Sequence, residues 1–310
     1  MIIDCLESIS TAILNAEGVQ AEIVVVDNAS QDDTFAVVSE WAKTSRVAVK
    51  LLREPCPGLA NARNCGVSGS CGTLLAFTDD DCRMDASYVL DALRHDAGDT
   101  EPTLRGGRVE LGDATDLPIT IKTSPVAMQW QKRFKSARLG NVADSIAGAN
   151  MVMRRSLVER LGPFDWRFST DEVPAGEDVD YIFRAYIQNI LIEYVPNMTV
   201  VHFHGRKIAE QASRLLRSYM IGSGALYMKH GLRDYNLCRQ VYWDVKGSVK
   251  ELTSGSNLFW PAIGFSTLHK VKFYCIGGVR FLLLFLSPRH PRRPRAYANG
   301  LPASRRDGRL

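Results

Sequence analysis

The chain has no apolar run long enough to cross a bilayer, no C-x-x-C pair, and no Gly-rich phosphate loop carrying Lys or Arg near its start. Each absence excludes something. The longest apolar stretch, "FYCIGGVRFLLLFLS" from Phe273 to Ser287, contains Arg280 and spans 15 residues. A spanning helix needs about 20, so an interfacial, in-plane helix is the expectation. The seven cysteines (Cys5, Cys56, Cys65, Cys71, Cys82, Cys238 and Cys275) are odd in number and scattered. That argues against a zinc site, and 310 residues can build a core without disulfide staples. Reduced thiols in a cytosolic setting follow. No leader is expected either, since Met1 runs straight into a helical pattern. Asn28-Ala29-Ser30 and Asn197-Met198-Thr199 fit the glycosylation acceptor pattern by chance.

A basic stripe is also missing from the folded part. The net charge is +4, but the segment from Pro288 onward carries seven Arg and one acid. Without it the chain is slightly acidic. This distribution argues against nucleic acid as a partner. It fits a disordered tail attracted to anionic headgroups, with the protein peripheral on the inner face of the plasma membrane.

What is present is an alternation. "IIDCLESISTAIL" places Ile2, Cys5, Leu6, Ile9 and Ile13 on one helical face. "AEIVVVDNAS" reads as a buried parallel strand, Ile23 to Val26, ending in Asp27. A helix follows with Asp32 and Asp33 near its start, where the helix dipole favours acids. "VAVKLLRE" is a second strand, residues Leu59 to Ser68 a third helix, and "GTLLAFT" a third strand. Strand and helix recur every 25–30 residues or so, the signature of an α/β fold with a mostly parallel, Rossmann-like sheet and flanking helices. Further on, "TLRGGRVEL", "ILIEYVP" and "MTVVHFHG" read as strands, and residues 112–146 as loops with a short helix. From about Arg206 long helices take over. The "IGSGAL" glycines Gly222 and Gly224 read as a close helix contact.

The chemistry concentrates at strand ends. Asp79, Asp80 and Asp81 follow the third strand directly. Ligands of open α/β sheets bind there, and a carboxylate triplet suits Mn²⁺ or Mg²⁺ bridging to phosphate, or else a solvated turn. Glu177 and Asp178 open an amphipathic helix whose N-terminus keeps acids ionised, as a general base requires. Val179, Ile182, Phe183 and Tyr186 form that helix's apolar stripe, with Asp180 and Arg184 as a surface pair. His202 and His204 alternate on one strand, as structural residues or as a metal ligand or phosphate donor.

The order "VVVDNAS", "REPCPGLANARNCGV", "AFTDDDC", "RGGRV", "AGANMVMRR", "LGPFD", "GEDVDYIFR", "VVHFH" resembles family 2 glycosyltransferases of the GT-A fold over residues 1–205. The resemblance implies an inverting, metal-dependent transferase that uses a nucleotide-diphospho-sugar and acts on a glycan or lipid-linked acceptor of the cell envelope. It implies Asp27 on the nucleobase and Arg63 near the nucleotide. Asp79 would face ribose and metal, Asp81 the metal, with Asp80 as helper. Gly148, Ala149 and Asn150 would line the sugar pocket, Asp178 with Glu177 beside it would be the base, and His202 would sit near the diphosphate as a metal ligand. It divides the chain into a GT-A domain (1–205), a helical, membrane-leaning region (206–287) and a basic tail (288–310). The family also opens on a strand resembling "VSVVIPTYN", placed between those ending at Asp27 and Asp79. This chain does not contain it, and the expectation is unpaired ladder groups on both neighbours and weak nucleotide-sugar binding. The competing readings are a non-catalytic nucleotide-sugar or glycan binder and a sugar-phosphate nucleotidyltransferase.

Overall fold

A computed structural model describes residues 1–133, 142, 145–231, 233–254, 258–260, 265–287 and 290. The basic tail, apart from His290, and much of the 134–144 stretch lie outside them. The elements are α1 (Ile2–Asn15), β1 (Glu22–Asp27), α2 (Thr34–Thr44), β2 (Ala48–Arg53), α3 (Leu59–Gly69), β3 (Leu74–Phe77), β4 (Cys82–Met84) and α4 (Tyr88–Gly98). Then come β5 (Thr103–Leu111), β6 (Met128–Trp130), β7 (Met151–Arg154), α5 (Arg155–Leu161), a 3₁₀ turn (Trp166–Ser169), α6 (Glu177–Ile187) and β8 (Leu191–His202). The C-terminal part is α7 (Ala209–His230), α8 (Tyr235–Ser254), a short antiparallel pair β9 (Leu258–Trp260) and β10 (Phe265–Ser266), and α9 (Thr267–Phe285).

The α/β class holds, but the sheet is not mostly parallel. β1 and β2 form a parallel pair of their own. The main sheet runs β3-β7-β5-β8-β4, with β6 also on β8, and only β5 and β8 are parallel within it. β3, β4, β6 and β7 all pair antiparallel. Alternation along the chain therefore signalled crossovers without fixing strand direction. The strands that deliver Asp27 and Asp79 stand in separate sheets, and each has one ladder partner among the described residues. That is why β1, expected to be buried throughout, buries only Ile23.

"ILIEYVP" and "MTVVHFHG" are one strand, not two. Gly107 pairs with Val195 and Arg108 with Thr199, so Pro196, Asn197 and Met198 bulge out of the ladder. Proline lacks the ladder donor, and a bulge is where a strand tolerates it. The side-chain amide of Asn150 ties the bulge down, donating to the Arg108 and Met198 carbonyls at 2.9 Å each. A Cβ on Gly107 would overlap the Met198 carbonyl oxygen. Gly107→Ala is expected to lower the unfolding free energy by about 3 kcal/mol, read by urea denaturation, because backbone cannot give way as a side-chain tip can.

The largest core cluster joins Leu104, Met151 and Met153 of the sheet to Leu157, Phe164, Tyr181, Ile182 and Phe183. A smaller one packs α1 and α2 on β1 and β2 through Leu6, Ile23, Val38 and Val47. The apolar face expected of α1 is the face that packs there. The run Phe273–Ser287 belongs to the second half of α9, whose inner side lies on α7. Gly224 meets the Tyr274 backbone and Gly277 the Ile221 carbonyl, so the Gly222/Gly224 pair is a packing feature. Among the described residues no helix is long and apolar enough to cross a membrane.

Candidate active site

Asp79, Asp80 and Asp81 form the turn between β3 and β4. Cys82 lies opposite His202 in the β4–β8 ladder, so Cys82 and His202 share a face of the sheet. His202 Nε2 is 3.1 Å from Asp81 Oδ2, and its Nδ1 is 3.3 Å from the Thr120 hydroxyl. Burial disfavours the His202 cation, but the Asp81 hydrogen bond and charge outweigh it and raise the imidazole above its usual value. Asp81 is held below the carboxylate range for the same reason, against the cost of burial. Asp79 is raised, by burial first, despite Arg63 nearby. Asp80 is exposed.

Three donor atoms of Asp81, Cys82 and His202 lie within 4.8 Å of one another, close enough to hold a metal ion. The Cys82 thiol is fully buried among Val109, Val152 and Val200, and burial raises it strongly. It stays protonated, which leaves a carboxylate and an imidazole, with Asp79 adjacent. That donor set fits a hard divalent cation.

α3 turns its polar residues inward. Asn64 closes a reciprocal pair with the Phe164 backbone, donating to its carbonyl at 2.9 Å and accepting from its N–H at 2.8 Å. Arg63, 7% exposed, reaches across the site. Its guanidinium is 2.7 Å from Glu177 Oε1 and 3.6 Å from Asp79 Oδ1. It therefore bridges the acidic turn to the start of α6. Gly148 is glycine because a Cβ there would come within 2.5 Å of Arg63 Nη2 and 2.8 Å of Asp178 Oδ2.

The two acids of α6 are unlike. Glu177 is 5% exposed and pinned by Arg63; burial and the Asp178 charge push it up to about 7. Asp178 is half-buried, and its carboxylate accepts from Gly148 N–H at 3.0 Å and Val179 N–H at 2.8 Å. Backbone donors at and beside a helix N-terminus orient it.

Of two further expected site residues, one is committed inward and the other is carried by the second sheet. Asn150 is fully buried, its carbonyl oxygen accepting from the Tyr88 hydroxyl at 2.7 Å and its amide on the bulge, so its side chain does not line a pocket. Asp27 ends β1, where Oδ1 accepts from Ser30 N–H at 3.1 Å. It is carried by the other sheet. His204 stacks edge-on against His202 and bonds the Leu117 carbonyl at 3.1 Å, a structural role.

Asp180 overturns its reading as half of a surface pair. It is fully buried and meets Arg184 Nε at 3.0 Å, Lys229 Nζ at 2.7 Å and His230 Nε2 at 2.8 Å. Lys229 also bonds Asp165, which pairs with Arg167. This network ties the end of α7 to the helix that carries Asp178. At the other end of that contact, Gly222 of α7 lies against the Ala175 carbonyl and Gly176, the residue before Glu177. One turn earlier on α7, Tyr219 has a phenol raised by burial and then by the Asp178 carboxylate. The helical spacing of α7 was legible in the sequence; its docking on α6 was not.

A concavity of about 290 Å³ lies at the N-terminal ends of β5 and β8, away from His202. Arg105 there is already held by Asp99 and Glu193. Its charges are satisfied within the fold, so it is not the reaction site.

An acidic turn, a bridging arginine and an oriented carboxylate at a helix N-terminus thus stand together on an α/β fold. Residues 1–162 match the family Glycosyl transferase family 2, and the chain belongs to that family. The glycosyltransferase AglE of Haloferax volcanii is 29% identical over 164 residues, covering 53% of this chain and 50% of that protein. The putative glycosyltransferase EpsH of Bacillus subtilis is 27% identical, covering 62% and 53%. The chain thus spans about half the length of these curated relatives. Among solved structures, the mannosyltransferase PcManGT of Pyrobaculum calidifontis, in complex with GDP-Man and Mn²⁺, superposes with a TM-score of 0.53 at 18% identity, covering 91% of this chain and 84% of that one. TarS 1–349 of S. aureus, in complex with UDP, gives 0.51 at 14% identity, covering 91% and 87%. These likenesses establish the GT-A type of α/β fold.

Proposed function

We propose that this chain transfers a sugar from a nucleotide-diphospho-sugar to an acceptor hydroxyl, inverting the anomeric centre, in the assembly of a cell-envelope polysaccharide or glycolipid. The observation that carries the reading is the oriented Asp178 carboxylate, reached from the Asp79–Asp81 turn through Arg63 and Glu177. Asp178 takes the acceptor proton as the hydroxyl attacks opposite the leaving group, so one base suffices and no covalent intermediate is needed. Arg63 bridges the crowded carboxylates of both elements and offsets part of their mutual repulsion. Asp79, Asp81 and His202 are the residues that would hold Mn²⁺ or Mg²⁺, whose contribution would be to offset the charge growing on the departing nucleoside diphosphate. Asp27 would meet the nucleobase. The complexes of the solved relatives, GDP-Man with Mn²⁺ in one and UDP in the other, are consistent with such a donor.

The test is release of free nucleoside diphosphate from a panel of donors, with Mn²⁺ and with chelator. Metal-dependent release supports the transferase; donor binding without release in any combination supports a non-catalytic binder instead. Metal affinity has an expected pH dependence. His202 is protonated below its raised pKa and then pairs with Asp81, so an incoming cation must displace that proton. Mn²⁺ binding, followed by loss of the free-ion paramagnetic resonance signal, is expected to tighten as pH rises from 6 to 8 by roughly 10-fold per proton displaced per unit of pH below that pKa. A His202→Gln variant is expected to flatten the profile. An unchanged slope in that variant would remove His202 from the site.

A further inference from the structure

α8 is amphipathic in the opposite sense to a helix on a water-facing surface. Beyond Leu237, which joins the core, its inner side is polar. Asp244 and Ser248 are buried against α9, where Asp244 meets Lys270 Nζ at 2.9 Å and the Tyr274 hydroxyl at 3.3 Å. The Ser248 hydroxyl donates to the Thr267 carbonyl at 3.0 Å, and Glu251 accepts from Leu268 N–H at 2.9 Å. Its outer side is apolar. Tyr235, Tyr242, Val245, Val249 and Leu252 recur at helical spacing and are 42–77% exposed, with Trp243 beside them at 55%. More than half of the exposed large apolar side chains among the described residues lie on α8 and α9. Surface helices of globular proteins bury the apolar stripe and show the polar one, so α8 is built to meet something apolar.

The charges select the occupant. α8 has two acids, Asp244 and Glu251, and both are engaged with α9. Its three cations, Arg239, Lys246 and Lys250, are all exposed along the apolar stripe, with Lys246 Nζ 4.9 Å from the Trp243 ring. A second copy meeting this face in a two-fold arrangement would set like charges against each other. Aromatic and aliphatic side chains flanked only by cations match an anionic lipid surface, with Trp and Tyr at headgroup depth. We propose that α8 lies in the plane of an anionic membrane and docks the chain there through Tyr242, Trp243, Val249 and Leu252, with Arg239, Lys246 and Lys250 on the headgroups. The sequence pointed to a membrane through the Phe273–Ser287 run, yet half of that helix is committed to α7. The outer side of α9 exposes Val279, Leu282, Leu283 and Phe285 as well, but it is α8 that sets Trp and Tyr beside three exposed cations. The inference refines the membrane-proximal acceptor of the proposed function but does not depend on turnover.

The experiment is flotation of the full chain with vesicles of phosphatidylcholine alone and with about one-third phosphatidylglycerol. Anionic vesicles are expected to bind at least about 10-fold more tightly, and binding is expected to weaken in high salt. Brominated acyl chains are expected to quench tryptophan emission, and Trp243→Ser to remove that quenching. The double variant Trp243→Ser, Leu252→Ser is expected to lose about 10-fold or more in binding, with an unchanged melting curve because both side chains are exposed. Lys246→Glu with Lys250→Glu is expected to abolish the preference for anionic lipid. Equal binding to both vesicle types, or binding indifferent to these variants, would overturn the proposal. So would a dimer in lipid-free light scattering that the same substitutions dissociate, which would assign the face to a second copy. Donor turnover without vesicle binding would overturn this inference and leave the transferase reading standing.

Discussion

Asp178→Asn is expected to lower sugar transfer by about 10³-fold while leaving donor affinity nearly unchanged. Asparagine keeps the shape of aspartate and one oxygen for the Gly148 N–H, giving up the Val179 contact, so the site should keep most of its geometry and lose the base. Glu177→Gln is the informative control. Glu177 is buried and bonded to Arg63, whereas Asp178 is half-buried and fixed by two backbone donors. Losing Glu177 should loosen Arg63 and weaken donor binding, with a smaller effect on the chemical step. The measurement is single-turnover transfer beside equilibrium donor binding for both variants. Normal turnover in the asparagine variant, or the larger chemical defect in the glutamine variant, would reverse the roles.

The second large effect is on stability. Asp180→Ala is expected to cost about 3–5 kcal/mol, because it removes the shared anion from Arg184 and Lys229 and leaves the fully buried His230 without its partner. At the sensitivity of a large domain that is roughly a 10 °C fall in melting temperature. The pH dependence has a defined sign. Asp180 is depressed far below the ordinary carboxylate range: burial opposes ionisation, but the His230 bond and the Lys229 and Arg184 charges prevail. Its contribution is therefore fully present above the unfolded carboxylate value and is lost as pH falls toward the folded one. Scanning the melting temperature from pH 7 down to 3 should show the gap between wild type and Asp180→Ala narrowing only at the acid end. A gap that closes between pH 7 and 5 would point to histidine instead. The variant also bears on the site, since the same network anchors the helix that presents Asp178.

The acidic turn and the helix opened by Glu177-Asp178 were legible because both are local. A short apolar run must end somewhere, and acids at a helix N-terminus are favoured within a single turn of chain. That His202 and His204 share a face was legible for a similar reason, since alternation along a strand fixes the face of each side chain, whereas a role for His202 came only from the resemblance. Arg63 could be singled out only by resemblance; no local pattern says that a helix will turn an arginine inward to lie between two carboxylates more than 80 residues apart in sequence. Asn150 was misread because a polar residue beside a glycine suits a pocket as well as a bulge. What decided its role was the three-residue excess in β8, which exists only once that strand is paired with β5.

By itself the sequence determined the class: strand–helix alternation, carboxylates at strand and helix ends, and a chain order of motifs that places it in glycosyl transferase family 2. These are short-range properties, written in periods of two and 3.6 residues. Only the tertiary structure decided strand direction, the burial of Asp180, the contact of α7 with the helix that carries Asp178, and which sides of the C-terminal helices were left uncovered. Each of these is a choice of partner between segments distant in the chain. Hydrophobic pattern fixes which face of an element seeks cover, but not what covers it, and on α8 Asp244 and Ser248 found cover while Tyr242, Val249 and Leu252 were left outside.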